Sequence, residues 1–150
     1  MSCTLLAART APWRPSSRPP AEGNRAAVAN QRTRLLTAIA RLISGEAETH
    51  AQFEAEPTAF RWIFYRAGND VWIRLLQLSD GAAHDNAGTE IWSTQQSVGT
   101  VARAVIRCFD EVAKKYGESG YRGRWGEHFP RTELEALRSL WRTHRSDPAA

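Results

Sequence analysis

The most regular pattern of apolar and polar residues lies between Ser97 and Gly117. Apolar residues recur there every three or four positions, which is the spacing that lines one face of an α-helix. They are Val98, Val101, Ala102, Val105, Phe109, Val112, Ala113 and Tyr116. Charged residues four apart, such as Arg107 and Glu111, occupy the opposite face. The pattern predicts an amphipathic helix that ends at Gly117 and packs its apolar stripe on a partner surface.

Two runs of alternating residues predict an antiparallel hairpin. They extend from Ala59 to Arg66 and from Val71 to Leu78, and Gly68 with Asn69 supplies a two-residue turn. This register gives one apolar face, which we expect to lie beneath the long helix. Its facing pairs are Trp62 with Leu75 and Phe64 with Ile73. The facing pairs of the reverse face are Tyr65 with Trp72, Ile63 with Arg74 and Arg61 with Leu76.

The reverse face of the hairpin has two interpretations. Its residues Arg61, Tyr65, Trp72 and Arg74 are of types that dominate binding hot spots, which makes them candidates for partner binding. Arginine stems also cover aromatic rings on any exposed sheet face, and the first helix could cover this face instead. The sequence leaves both interpretations open.

Weaker patterns predict the remaining elements. A helical stripe covers about residues 28–43, and Thr89 to Ser93 predicts a third strand. A last helix runs from Glu133 to about His144, where Thr132 and Glu135 have the spacing of a capping box. The fold class that follows is α+β, a two-layer domain with a three-stranded antiparallel meander and helices packed mainly on one face.

Composition sets the expected domain boundaries. Residues 1–29 contain four prolines and little acid, which predicts a disordered basic tail. Residues 30–146 are expected to form a single α+β domain, and residues 147–150 to fray. Within that domain, the glycine-rich residues 117–126 predict a tight connector whose Tyr121 and Trp125 plug the edge of the core.

The net charge of +4 is concentrated in the first part of the chain. Residues 1–34 contain six arginines and one glutamate, which leaves 14 basic and 15 acidic residues for residues 35–150. A nucleic-acid-binding domain normally carries its basic footprint on the folded module, so nucleic acid is not the expected partner of the folded domain. The basic tail, with Arg122 and Arg124 of the connector, keeps a nucleic-acid-associated protein open as the alternative function.

Four glutamates precede the hairpin, and no lysine or arginine lies among them. They are Glu46, Glu48, Glu54 and Glu56. Acidic runs of this kind are usually solvated linkers, which is the first interpretation. The second is an acidic patch that binds a protein partner with a basic site, such as a nuclease.

Motifs for catalysis and metal binding do not occur in the sequence. The histidines at positions 50, 84, 128 and 144 fall in separate segments without metal-ligand spacing, and no nucleophile elbow is found. We therefore expect no catalytic residue, no metal, no cofactor and no enzymatic activity, although an active site built from scattered residues stays open. No apolar run approaches the roughly 18 residues of a membrane span, so we expect no membrane partner. The only cysteines, Cys3 and Cys108, offer no disulfide framework or zinc pattern, which suits a reducing cytosol and predicts a cytoplasmic location.

Aromatic, glycine and proline positions follow a recognisable order along about residues 35–142. They are Glu56-Pro57, Phe60-Arg61-Trp62-Ile63-Phe64, Ile73-Arg74-Leu75-Leu76, Gly120-Tyr121, Trp125 and Phe129-Pro130. This order resembles small single-domain bacterial proteins, some of which are immunity proteins that block a toxin of a neighbouring cell. The resemblance implies a non-catalytic protein-binding protein whose partner is a toxin domain. Its motifs serve folding, so it implies no functional residue.

Overall fold

The computed structural model describes residues 22–55 and 57–147, with side chains from Gln31 onward. In chain order the elements are α1 (Glu22–Ile43), β1 (Glu48–Ala55), β2 (Thr58–Ala67), β3 (Asp70–Leu78), a 3-10 turn (Asp85–Ala87), β4 (Thr89–Ser97), α2 (Val98–Trp125) and α3 (Arg131–Ser146). Helices and an antiparallel sheet in separate layers confirm the predicted α+β class.

The four strands form one antiparallel sheet in the order β1-β2-β3-β4. The hairpin of β2 and β3 has the predicted two-residue loop, because Ala67 pairs with Asp70. Gly68 adopts a φ of 62° in that loop, a left-handed conformation that glycine reaches without steric cost. Every facing pair predicted for the hairpin is confirmed, on both faces of the sheet.

The sheet contains one strand more than predicted, because the acidic segment forms strand β1. The residues of β1 that face the helices are Thr49, Ala51 and Phe53, opposite Phe64, Trp62 and Phe60 of β2. Threonine and alanine are weakly apolar, so the alternation of this segment is faint in the sequence. The interpretation of residues 48–55 as a solvated linker was therefore wrong. Pairing with β2 and cover by α1 provide burial that the composition of the segment does not indicate.

The helices pack on the face that carries Trp62 and Phe64. Leu35 of α1 and Val105 of α2 contact the same small internal space as these two aromatic rings, and α3 packs against α1 and α2. Leu134 of α3 belongs to the same hydrophobic core. The predicted contact between the long helix and the apolar hairpin face is confirmed, as is the packing of helices on one face.

Helix α2 continues past its predicted end and bends at Gly117. This residue has φ 65° and ψ 173°, which is not helical, and helical geometry then resumes as far as Trp125. The predicted glycine-rich connector is therefore corrected to a helical segment that ends at Gly126. Tyr121 of this segment is 1% exposed, and its ring centroid lies 5.3 Å from that of Phe129. The predicted plug of the core edge is confirmed.

At the start of two helices, the residues that precede the helix set its boundary. Strand β4 runs to Ser97, where the hydroxyl accepts a hydrogen bond from the N–H of Thr100 at 3.1 Å and caps α2. Helix α3 begins at Arg131 after Pro130, and no side chain caps it. The predicted capping box of Thr132 and Glu135 was wrong, because both residues already lie within the helix.

The first helix begins upstream of the predicted start of the domain. Glu22 is its first residue, and the alanine-rich stretch that follows favours helical backbone. Residues 1–21 of the predicted tail lie outside the described residues, as do Glu56 and residues 148–150. Among the described helices, none combines the length and the apolar character needed to cross a bilayer.

Candidate binding surface

The sheet face that points away from the helices carries most of the predicted partner-binding residues. Strand pairing arranges the side chains of this face in rows across the sheet. The first row is Glu48, Tyr65, Trp72 and Gln95, and the second is His50, Ile63, Arg74 and Ser93. These two rows are termed the open rows. No described helix or loop covers Trp72, which lies in the middle of the first row.

The loop of residues 79–88 covers the other end of the same face. The apolar residues Ala59, Ile63, Leu76 and Leu78 are buried there, away from the helices. Gly88 lies so close to them that a Cβ at this position would stand 2.8 Å from Cδ2 of Leu78. The loop thus closes a second, small core, which borders the open rows and shares Ile63 with them.

Arg61 holds this loop against the sheet. Its side chain is 14% exposed and forms an ion pair with Asp85. Its Nη1 donates to the carbonyl of Ala83 at 3.0 Å, its Nη2 donates to the carbonyl of Gly81 at 3.2 Å, and its Nε donates to Oε1 of Gln52 at 2.8 Å. The hydrogen-bonding groups of Arg61 are engaged within the chain, so this side chain positions the loop that borders the open rows.

Among the described residues, Trp72 is the one large hydrophobic side chain that is more than half exposed. Its exposed fraction is 53%, and Tyr65 lies directly opposite on β2 with partial burial. An indole in water leaves apolar area unburied while its N–H stays free to donate, which suits burial against another molecule. Trp72 and Tyr65 therefore form the apolar centre of the open rows.

Arg74 lies in the row next to Trp72 and is held by an ion pair. Its Nε donates to Oε2 of Glu90 at 2.6 Å, with both side chains partly exposed. The hydrogen bond from Arg74 is the main cause that lowers the pKa of Glu90, and a hydrogen bond from Ser93 adds to it. The pair is fully charged at neutral pH, so this sheet face presents a guanidinium–carboxylate pair beside the aromatic centre.

The predicted acidic residues that the structure describes are spread along β1. Glu46 precedes the strand and pairs with Arg41, Oε2 to Nη2, at 2.6 Å. Glu48 lies in the first open row opposite Tyr65. Glu54 lies at the far end of the strand, where its carboxylate accepts a hydrogen bond from Gln52. The described geometry therefore brings Glu48 together with the aromatic centre and leaves Glu46 and Glu54 apart from it.

Gln95 and Glu90 of strand β4 belong to this surface and were not selected from the sequence. The predicted third strand ended at Ser93, before Gln95. The pairing of β3 with β4 also shifts between Leu75 and Leu76, and this irregularity places Glu90 opposite Leu76. A bulge has no clear signature in a polar strand, so the pairing of Glu90 with Arg74 could not be read from spacing.

The open rows offer ring surface, a charged pair, amides and hydroxyls. Groups of this kind recognise a complementary surface through burial and hydrogen bonds.

Within residues 22–55 and 57–147, no set of three or more histidine, cysteine, aspartate or glutamate side chains is placed to hold a metal ion.

No family model, no curated protein and no solved structure matches the chain. The function is therefore inferred from the geometry and chemistry of the open rows.

Proposed function

We propose that this chain is a non-catalytic protein-binding protein that blocks its partner stoichiometrically, as an immunity protein blocks a bacterial toxin. The observation that carries the proposal is the exposed Trp72, which lies opposite Tyr65 and next to Arg74 on the open rows. Tryptophan, tyrosine and arginine are the residue types most enriched among those that dominate the binding energy of protein interfaces. A blocking protein needs a complementary surface and no reacting group, and the open rows supply such a surface.

The strands that carry Tyr65, Trp72 and Arg74 are each hydrogen-bonded to a strand on both sides. They are β2 and β3, the central strands of the sheet. Ile63, which lies next to Arg74 in the second open row, is 1% exposed. A fixed backbone loses little conformational entropy on association, which supports tight binding by a small number of side chains.

A substitution of Trp72 tests the proposal. The first partner to use is the protein encoded by the adjacent gene, purified and titrated by isothermal calorimetry. Trp72→Ala should weaken binding about 30-fold, which corresponds to the roughly 2 kcal/mol of a hot-spot residue. Gln77→Ala is the matched control, because Gln77 lies on the same strand but on the opposite face, and it should change the affinity less than about twofold.

Protection of growing cells gives the second measurement. Co-expression of the chain should suppress the toxicity of the partner, and Trp72→Ala should reduce this protection while Gln77→Ala retains it. An affinity of Trp72→Ala within about threefold of the unsubstituted chain, with unchanged circular dichroism, contradicts the proposal because the ring is then no hot spot.

A further inference from the structure

A groove runs along the edge of the sheet that β1 forms. It has a volume of about 1140 Å³ and lies between α1, β1 and the loop of residues 79–88. Arg34, Thr37 and Arg41 line its α1 wall, and His84 and Asp85 line its loop wall. We term it the edge groove. Its volume exceeds the roughly 300–1,000 Å³ of small-molecule pockets, so the groove has room for a longer ligand.

The backbone of β1 directs hydrogen-bonding groups into the edge groove. The N–H of Arg66 donates to the carbonyl of Ala47 at 2.7 Å, and this pair continues the register of β1 on β2. Hydrogen-bonded and non-bonded pairs alternate along an antiparallel ladder. Every second residue from Glu48 to Glu54 therefore points its N–H and C=O away from β2. Among the described strands β1 has no other neighbour, so this edge can accept a further strand.

The α1 wall of the groove is basic. Arg34 is exposed and has no ion pair within the described part of the chain, and Arg41 keeps 58% of its side chain exposed although it pairs with Glu46. No carboxylate of the described α1 side chains lines this wall. The two carboxylates of the lining lie away from this wall, because Asp85 on the loop wall is paired with Arg61 and Glu48 belongs to the sheet face that points away from the helices. A strand in the groove would therefore have cationic side chains along its α1 side.

Building on the proposed function, we infer that the edge groove takes up an extended acidic segment of the partner protein as an additional strand of the sheet. Main-chain hydrogen bonds to the outward groups of β1 hold the segment, and its side chains alternate between the two walls. Carboxylates at every second position then lie against the α1 wall, where they meet Arg34 and Arg41. Glu48 and His50 lie both at the groove and in the open rows, so a single partner can reach both surfaces.

Synthetic peptides test the inference on the full chain. The probe is a fluorescent peptide of about ten residues in which glutamate alternates with threonine, and fluorescence anisotropy measures its affinity. A version with lysine in place of glutamate should bind at least about tenfold more weakly, because it brings like charge to Arg34. Two further versions of the peptide carry N-methyl groups on alternate amide nitrogens, one version on the odd-numbered residues and the other on the even-numbered residues. These two methylation patterns are termed the two phases. One phase should abolish binding and the other should change the affinity less than about threefold, because only one set of amides faces β1.

Two pairs of chain variants provide matched controls. His50→Pro and His50→Ala both lose the imidazole, but only proline removes the outward N–H, a loss that an edge strand tolerates. Peptide binding by His50→Pro should be about tenfold weaker than by His50→Ala. Arg34→Glu should weaken binding about tenfold, whereas Arg103→Glu, the same change of charge on the exposed side of α2, should stay within about twofold.

Several results would overturn the inference. They are equal effects of the two methylation phases, equal affinity for the two charge versions, and equal affinity of Arg34→Glu and Arg103→Glu. A dimer of the chain alone that His50→Pro abolishes in sedimentation would also overturn it, because the edge would then bind a second copy. The proposed function is tested separately through Trp72. If Trp72→Ala loses the whole partner and Arg34→Glu does not, the proposed function is retained and the edge-groove inference fails.

Discussion

At the residue scale, Glu127 is a buried carboxyl with an oxygen left unsatisfied by the described residues. It lies between α2 and α3 and is buried, and its Oε1 has no hydrogen-bond partner in the described part of the chain. Burial raises the pKa of this carboxyl, and the charge of Arg32 opposes that effect. The hydroxyl of Tyr121 is also buried without a hydrogen-bond partner there, and its pKa is raised by burial as well. Burial therefore makes the charged form of Glu127 less favourable in the folded chain than in water.

A pH dependence of stability follows from Glu127. Because its pKa is higher in the folded than in the unfolded chain, its stabilising contribution is complete below the unfolded pKa of about 4.3 and is lost as pH rises through the folded value. Glu127→Gln should raise the free energy of unfolding at pH 8 by about 1 kcal/mol and change it little at pH 4. Urea denaturation at both pH values measures this difference. Glu111→Gln, on the exposed side of α2, is the control and should change the free energy of unfolding by less than about 0.5 kcal/mol.

The face of each hairpin residue could be predicted, whereas its exposure could not. Trp62 and Trp72 are the same residue type, and strict alternation assigned them to opposite faces, as the register confirms. How much of Trp72 stays in water depends on where the loop of residues 79–88 ends, and that loop has no periodic pattern. Arg61 shows the same limit, because the carbonyl that engages it belongs to Ala83, 22 residues away in the chain.

At the element scale, the strength of a repeating pattern decided what could be predicted. The long helix and the hairpin each repeat apolar residues over several turns or pairs at the helical or strand period, and both were predicted with the correct partner surface. Strand β1 places Thr49 and Ala51 at its buried positions, so its alternation is one of small residues. Neighbouring elements bury these positions, and the spacing of residues within the segment does not predict that burial.

The bend of α2 gives a prediction about glycine. Gly117 has φ 65° and ψ 173°, a region that is essentially restricted to glycine, so Gly117→Ala should lower the free energy of unfolding by about 1–3 kcal/mol. Apart from the adjacent backbone, no atom lies within 4 Å of the position of the added Cβ, so the cost is one of backbone conformation. Gly123→Ala is the matched control. It also enters open space, but in helical backbone, and should stabilise the chain by about 0.5–1 kcal/mol. A Gly117→Ala variant as stable as Gly123→Ala in urea denaturation would contradict this account of the bend.

At the scale of the whole molecule, the two layers were predictable and the contacts across them were not. Helices with one apolar stripe and a hairpin with one apolar face allow few arrangements other than a helical layer on a sheet. The loop of residues 79–88 covers the second core and forms one wall of the edge groove. Both features therefore depend on where this loop contacts the sheet. The hydrogen bonds of Arg61 to Gly81 and Ala83 fix that return, and neither glycine nor alanine indicates it in the sequence.

The joint between loop and sheet can be tested with two arginines of neighbouring rows. Arg61→Met removes the hydrogen bonds that hold the loop and should lower the free energy of unfolding by about 2 kcal/mol. Amide exchange in residues 80–86 should accelerate at the same time. Arg74→Met loses an exposed ion pair and should change the stability by less than about 1 kcal/mol. Similar losses in the two variants would show that Arg61 does not hold the loop.

The position of Glu48 and His50 at the corner between the groove and the open rows has a consequence for avidity. When a ligand binds on one side of this corner, its second binding segment is held next to the second side at an effective concentration on the order of millimolar. Two contacts that are each weak would then together give one complex that dissociates slowly. Fragments of such a ligand, each covering a single side, would dissociate quickly, and only a molecule that bends around the corner would stay attached.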